Sequence, residues 1–512
     1  MKLYMKNLKF ILLALCAVLS FGACSKKNNF SLDLSATGLY FQWGGEPQVV
    51  TYNAVNTATV ELKTVTEGWT CVVDHKSRTI TITPPKDPGT EAERETLRDA
   101  EVTLEVTSVK GATSKYTIEC YIISDSIVHI NPNGTYANSY VLTAPRTAYH
   151  LDVSHNGGGV AIANIADVKI LWQSESSMIQ HLLYDEKAQI VSFYLDAKKE
   201  INEDDEEVYV KENDEYILPN ANAVIAVVDG SENILWSWHL WITKASNNPL
   251  NDYSTYANGV TFMNRNLGAF ANSNGEADAN KILDSYGLYY QWGRKDPFFR
   301  PYYHDCSGNE DQYVYGSTNS AVYVEYAEVT SQTGTVEYTI AHPLTFITNP
   351  ACVDDEDGDG IGDWMHAADN TLWSSTKKSA YDPCPYGWRV PAATDFDVLS
   401  LTAEEDAMDI DQARKRFGWT LSDGTNSYFY LAAGFRSYYD GTIHNMNYKE
   451  GVYPSHPEPW EGYYWTAGST ADGKQSTCMY FDLTTTRAIN KFNLSYPSKR
   501  ANAMQIRCVK VK

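Results

Sequence analysis

Hard oxygen ligands are densest at Asp355-Glu356-Asp357-Gly358-Asp359-Gly360-Ile361-Gly362-Asp363. Alternate carboxylates converge on one ion, glycines let the backbone curl, and the Ile361 carbonyl adds an oxygen. Asp355, Asp357, Asp359, Ile361 and Asp363 are therefore expected to hold a structural Ca2+, with a solvated acidic loop as the alternative. The twelfth position from Asp355 is His366 and not a bidentate Glu, so Asp369 or another loop would have to complete the shell. A second constellation holds Tyr438, Tyr439, Tyr448, Tyr453 and Trp460 among Asn445, Asn447 and His456. Amphipathic rings mixed with carboxamides suit adaptable recognition. Tyr439, Tyr448, Trp460, Asn445, Asn447 and Asn493 are expected to touch a ligand, the alternative being a Tyr-rich packed loop.

Catalytic signals are weaker. There is no His-Glu-x-x-His, no Gly-x-Ser-x-Gly and no phosphate-cradling loop. His304-Asp305-Cys306 places a base beside a thiol, but neighbours on one strand or loop rarely face each other. Acid pairs for glycoside hydrolysis are defined by separation in space, on which local sequence is silent. No catalytic residue is assigned, and the chain is read as a binder and not an enzyme.

The 512 residues carry 41 Lys plus Arg against 64 Asp plus Glu, a net charge of −23. Such a surface repels phosphate backbones, which excludes nucleic acid as a partner. Lys2, Lys6 and Lys9 precede an apolar run over residues 10–21, too short to span a bilayer as a mature helix, which reads as a secretory signal. Gly22-Ala23-Cys24 is similar to the lipobox of bacterial lipoproteins, which implies lipidation at Cys24, a tether over 25–30 and anchoring to the outer membrane. Surface-exported relatives carry acidic residues after the cysteine; Lys26 and Lys27 stand here, so the membrane face stays open.

In an exported chain the remaining cysteines are expected to form disulfides within domains: Cys71 with Cys120, Cys384 with Cys508, and Cys306 with Cys352. One of the seven is then left over.

The elements that would position these groups are mainly strands. Period-two alternation marks Thr59-Val60-Glu61-Leu62, residues 79–83, 101–106 and 115–120, a sandwich over 31–124. Residues 139–142, 168–172 and 190–194, with a hairpin of 222–228 and 234–243 about a Gly-containing loop, make a second sandwich over 125–245. Along 234–243, Trp236, Trp238, Leu240 and Ile242 share one face and Ser237, His239 and Trp241 the other. From 246 the texture is mixed, with a helix after Val390-Pro391 that buries Phe396 and Leu399 and is capped by Thr394, and another over 403–417.

Five phrases occur in order in that last region. They are residues 262–269, Gly287-Leu288-Tyr289-Tyr290-Gln291-Trp292-Gly293-Arg294-Lys295-Asp296-Pro297-Phe298, Asp382-Pro383-Cys384-Pro385-Tyr386-Gly387-Trp388-Arg389-Val390-Pro391, Gly462-Tyr463-Tyr464-Trp465, and Ile506-Arg507-Cys508-Val509-Lys510. The series resembles the Fibrobacter succinogenes major paralogous domain of Bacteroidetes lipoproteins, which implies a C-type-lectin-like fold for 246–512. Residues 68–85 resemble the immunoglobulin-like modules that open many such lipoproteins. The implied architecture is two all-β immunoglobulin-like sandwiches followed by an α+β C-type-lectin-like domain. Trp292, Trp388 and Trp465 are expected in its core. Glu458-Pro459-Trp460 puts an indole where a calcium-dependent lectin needs an amide oxygen, so sugar binding through calcium is unsupported. The function implied is that of an envelope adhesin capturing a glycan or protein; a component of a surface fibre or outer-membrane assembly is the alternative, and a glycan-active enzyme the weaker third.

Overall fold

The computed structural model describes residues 30–122, 127–203, 207–275, 278–302, 311–352, 362–401, 417–444, 461–483 and 492–511. The chain is mostly β-structure in several sheets, parted into two compact units between Ser124 and Asp125. Among the described residues no helix is long and apolar enough to cross a membrane.

The first unit is a sandwich of two four-stranded sheets. Alternation places Val102, Leu104 and Val106 of the strand Asp99–Ser108 in its core, opposite Val50, Ile80 and Ile82. Trp69 stands edge-on to Phe41 and donates its indole N–H to the Leu97 carbonyl at 2.9 Å. The charged stretch after the Pro-rich break is a helix, Glu91–Leu97, capped by Thr90. Cys71 and Cys120 are not joined here but are thiols. Cys71 lies on the edge strand of one sheet, half-buried, and Cys120 on an inner strand of the other, fully buried; both share the sandwich core without a bond between them. Burial pushes the Cys71 thiol up to about 11 and, with Cys71 nearby, that of Cys120 up to about 12.

The second unit is organised by one six-stranded sheet, in the order Ser139–Leu142, Ile234–Ile242, Ala221–Val228, Asp167–Gln173, Val314–Tyr315, Ala321–Val322. Trp236, Trp238, Leu240 and Ile242 face one core, shared with the four-stranded sheet that contains Val191 and Phe193. Trp172, Val224 and Trp241 face a second core with Met263, Trp292 and Trp465. A sheet covered on both faces reads as a continuous apolar run, and every residue of Ala221–Val228 is buried. The division expected at 245 therefore does not separate two bodies: strands from beyond it complete the sheet, and the sheet is a common wall.

Buried polar groups tie that wall together. Asn222 donates to the Gly268 carbonyl at 2.9 Å, which turns its Oδ1 to His239 Nε2, also at 2.9 Å; the imidazole is then Nε2-protonated and its Nδ1 accepts from Ser139 Oγ at 2.8 Å. Burial pushes His239 down to about 3, so it stays neutral.

From 246 the described elements are mostly short strands, the longest being Glu461–Ser469, with the helices Ala279–Ser285 and Val336–Ala341. Their hub is residues 503–510. Val509 pairs with Phe262 and Arg389, Ala503 and Met504 pair with Gln291 and Tyr290, and Gln505 bridges Tyr464. Cys508 is bonded to Cys384, with their Cα atoms 6.0 Å apart. Trp292, Trp388 and Trp465 are buried. After Pro391 the chain makes a short 3-10 turn, Ala393–Phe396, and Phe396 and Leu399 are buried. Its start is held by Asp395 and not Thr394: the Asp395 carboxylate accepts from the Ala392 amide at 2.7 Å and from Arg389 at 2.9 Å. The helix expected over 403–417 lies, except for Phe417, outside the described residues.

Candidate functional site: a tyrosine face around Arg436

Between residues 250 and 510, every described large apolar side chain that is well exposed is a tyrosine. Several of them are brought together by Arg436. This residue lies on a two-residue strand, Phe435–Arg436, paired with Ile443–His444, and its guanidinium is buried. It donates to the Phe299 carbonyl at 2.8 Å and the Gly441 carbonyl at 3.1 Å, and pairs with the Asp311 carboxylate. One cation thus fixes both the turn over 437–442 and the segment that carries Tyr302 and Tyr313, whose rings meet edge-on at 5.0 Å.

The turn sits flat on a third segment. Gly441 has φ +73°, and a Cβ there would collide with the Tyr326 ring, so the position demands glycine. Tyr326 lies on Glu325–Glu328, opposite Phe346 of the parallel strand Thr345–Thr348. Burial raises the Tyr326 hydroxyl pKa, with Arg436 opposing and Asp311 and Asp440 adding, which places all three charges around this ring. Asp440 accepts from the Thr442 amide at 3.0 Å and stands 3.3 Å from His444 Nε2. On the other flank the Tyr438 amide donates to Asn502 at 2.8 Å and Lys499 sits 3.9 Å over the Tyr438 ring. Exposures of 51% for Tyr326, 54% for Tyr313 and 60% for Tyr439 leave these rings open to a partner on a rigid support.

Of the residues expected to touch ligand, Tyr439 lies on this face. Asn493 is exposed on a different sheet, where its Oδ1 accepts from the Ser495 amide at 2.9 Å. Tyr448, Trp460, Asn445 and Asn447 lie outside the described residues, as do Cys24, Cys306, Asp355, Asp357, Asp359 and Ile361. Asp363 departs from its expected role. It is fully buried, where it accepts from Arg500 at 3.2 Å and from the Met365 amide at 3.0 Å. Among the described residues no group of three or more His, Cys, Asp or Glu is placed to hold a metal ion. Sequence reasoning missed Arg436, Tyr302, Tyr313 and Tyr326. The run Gln312-Tyr313-Val314-Tyr315-Gly316-Ser317-Thr318-Asn319 has the same mixture of rings and small polar residues that singled out 438–460, and could have been found by that signal.

One buried group looks reactive in isolation. Lys295 donates to Asp296 at 2.7 Å and to the Ser237 carbonyl at 3.1 Å; burial lowers its pKa and Asp296 opposes. Both side chains are almost wholly enclosed, so the pair joins the second phrase to the common wall and meets no substrate.

No family model matches the chain, and no curated relative does. Among solved structures, the protocadherin GammaB4 extracellular domain aligns at 11% identity over 42% of this chain and 35% of its own, with a TM-score of 0.15. The human desmocollin-1 ectodomain aligns at 11% over 43% and 41%, with a TM-score of 0.15. A Bacteroides ovatus mixed-linkage glucan utilization protein, SGBP-B, solved with a mixed-linkage heptasaccharide, aligns at 10% over 40% and 44%, with a TM-score of 0.11. The chain thus spans under half the length of these proteins, and superposition this poor carries no argument about its fold family or its ligand.

Proposed function

We propose that the chain is a lipid-anchored envelope protein, attached through Cys24 to the bacterial outer membrane, whose second unit captures a glycan or protein on the tyrosine face. It acts by contact and not by catalysis. The observation that carries this reading is that the well-exposed large apolar side chains described between residues 250 and 510 are tyrosines, of which Tyr302, Tyr313, Tyr326 and Tyr439 lie on or against segments that Arg436 clamps. A tyrosine offers a flat apolar face for stacking and a hydroxyl for hydrogen bonding, with little rotamer entropy to lose. Membership of the Fibrobacter succinogenes major paralogous family, with a C-type-lectin-like fold, is part of the proposal. Its support is that the first four phrases each pair with residues 503–510, which contain the fifth. A structural Ca2+ on Asp355, Asp357, Asp359 and the Ile361 carbonyl belongs to it too, with Asp363 removed from the set.

The test is the whole purified protein on glycan and protein arrays, followed by titration of the best hit with the Tyr326→Ala/Tyr439→Ala double variant. Loss of about tenfold or more in affinity is expected, since central tyrosines contribute about 1 to 2 kcal/mol each. An affinity unchanged by the double variant rejects the face as the site. Absence of any hit together with co-purifying envelope components favours the fibre or assembly role.

A further inference from the structure

Two imidazoles meet on the four-stranded sheet of the second unit that contains Val191 and Phe193. The strand Ile127–His129 forms an edge of that sheet and runs parallel to Thr147–Asp152, in a register that sets His129 directly opposite His150. Tyr149 and Leu151 belong to the core and Val128 packs against it, so alternation turns His129 and His150 to the other face. Their rings lie 5.3 Å apart, centre to centre, with the planes at 90°.

Protein groups leave both rings free. No hydrogen bond or ion pair holds the His129 or His150 side chain among the described residues, and their ring nitrogens are not enclosed. His129 is exposed and His150 half-buried. Burial, with His129 adding, lowers the His150 pKa, so this ring is neutral at pH 7 and keeps a lone pair for a metal.

The separation of the rings suits one tetrahedral ion. An ion about 2.0 to 2.1 Å from a ring nitrogen stands about 3.2 Å from the ring centre, and two rings that meet it at a tetrahedral angle have centres about 5.2 Å apart. The observed spacing is 5.3 Å. A right angle, as in a square-planar shell, would need about 4.5 Å. Turning a ring about its Cβ–Cγ bond aims either nitrogen and hardly displaces the ring centre. Imidazole suits zinc and not calcium, which takes oxygen ligands. Asp152 lies two residues along the same face, but its Oδ1 accepts from the Ser154 amide at 2.9 Å and its Oδ2 from the Tyr136 hydroxyl at 3.4 Å. The remaining positions of the shell therefore fall to water.

We propose that His129 and His150 form a surface site for one Zn2+, completed by water and sharing no residue with the tyrosine face or with the acidic run at 355–363. The ion would also pin the first strand of the second unit to its neighbour. The test is calorimetric titration of the whole protein with zinc chloride in excess calcium, which occupies hard-oxygen sites. Loss of an outer-shell partner already costs about ten- to a hundredfold in metal affinity, and loss of a ligand costs no less. His129→Gln and His150→Gln are therefore each expected to weaken one zinc site about tenfold or more. His129 is exposed, so its replacement removes a ligand without disturbing the core. Zinc is expected to raise the melting temperature of the second unit by more in the native protein than in either variant. Tyr326→Ala/Tyr439→Ala is expected to leave zinc binding unchanged, which separates failure here from failure of the tyrosine face. Lack of saturable zinc binding in excess calcium, a loss of less than tenfold in either variant, or an equal rise in melting temperature in native protein and variants would each overturn the proposal.

Discussion

Burying a guanidinium removes hydration that only a full set of acceptors restores, and this chain buries several. Arg500 meets Asp363 at 3.2 Å with both side chains wholly enclosed. Burial raises the Asp363 pKa, an effect that the Met365 amide and Arg500 oppose, so the carboxylate depends on its partner to stay ionised. Asp363→Asn breaks the pair and is expected to lower stability of the second unit by about 3 to 5 kcal/mol. Urea denaturation in calcium and in chelator measures it. Equal losses in both identify a core ion pair; a loss confined to calcium would restore Asp363 as a ligand. Nothing local distinguishes Asp363 from Asp359, because the difference is made by an arginine far along the chain. The acidic run was legible in the sequence, and the fate of its last member was not.

Strands were legible where alternation was strong. Residues 79–83 form the strand Thr79–Thr83, and the run from 234 forms Ile234–Ile242 with its tryptophans divided as the period requires. Elements such as Val314–Tyr315 were not, because two residues carry no period and pair only by virtue of the sheet already present. The tyrosine face failed to appear for the same reason: its segments are short, and Arg436 joins them across long stretches of chain. The Cys384–Cys508 bond acts at this scale. It closes a loop with a sequence separation of 124, which on the chain-entropy account stabilises by up to about 5 kcal/mol. Cys384→Ala/Cys508→Ala is expected to lower the melting temperature of the second unit and leave that of the first unchanged. Differential scanning calorimetry reads both, and an unmoved second transition would show that packing around residues 503–510 holds without the bond.

At the scale of the molecule, the common wall decides what folds. Trp172, Val224 and Trp241 belong to the core that also contains Trp292 and Trp465. A fragment of residues 246–512 lacks that wall and leaves Lys295 and Asp296 without Ser237. It is expected to lack near-ultraviolet circular dichroism and to be cut rapidly by protease, whereas 125–512 resists. Protection of the shorter fragment equal to that of the longer would contradict the shared core. The boundary at 245 was drawn where composition changes, but a sheet buried on both faces obscures such a change because each side serves a different core.

The position of the hub within the chain has a consequence for biogenesis. Residues 503–510 pair with strands that precede them by as much as half the polypeptide. A chain leaving the ribosome from its N-terminus exposes Phe262, Tyr290 and Arg389 long before their partner exists. Loop closure over such distances is slow, so the second unit stays unfolded through most of its synthesis. On the proposal that the chain is exported, such a delay would keep the polypeptide threadable for a secretion channel until its last segment has crossed.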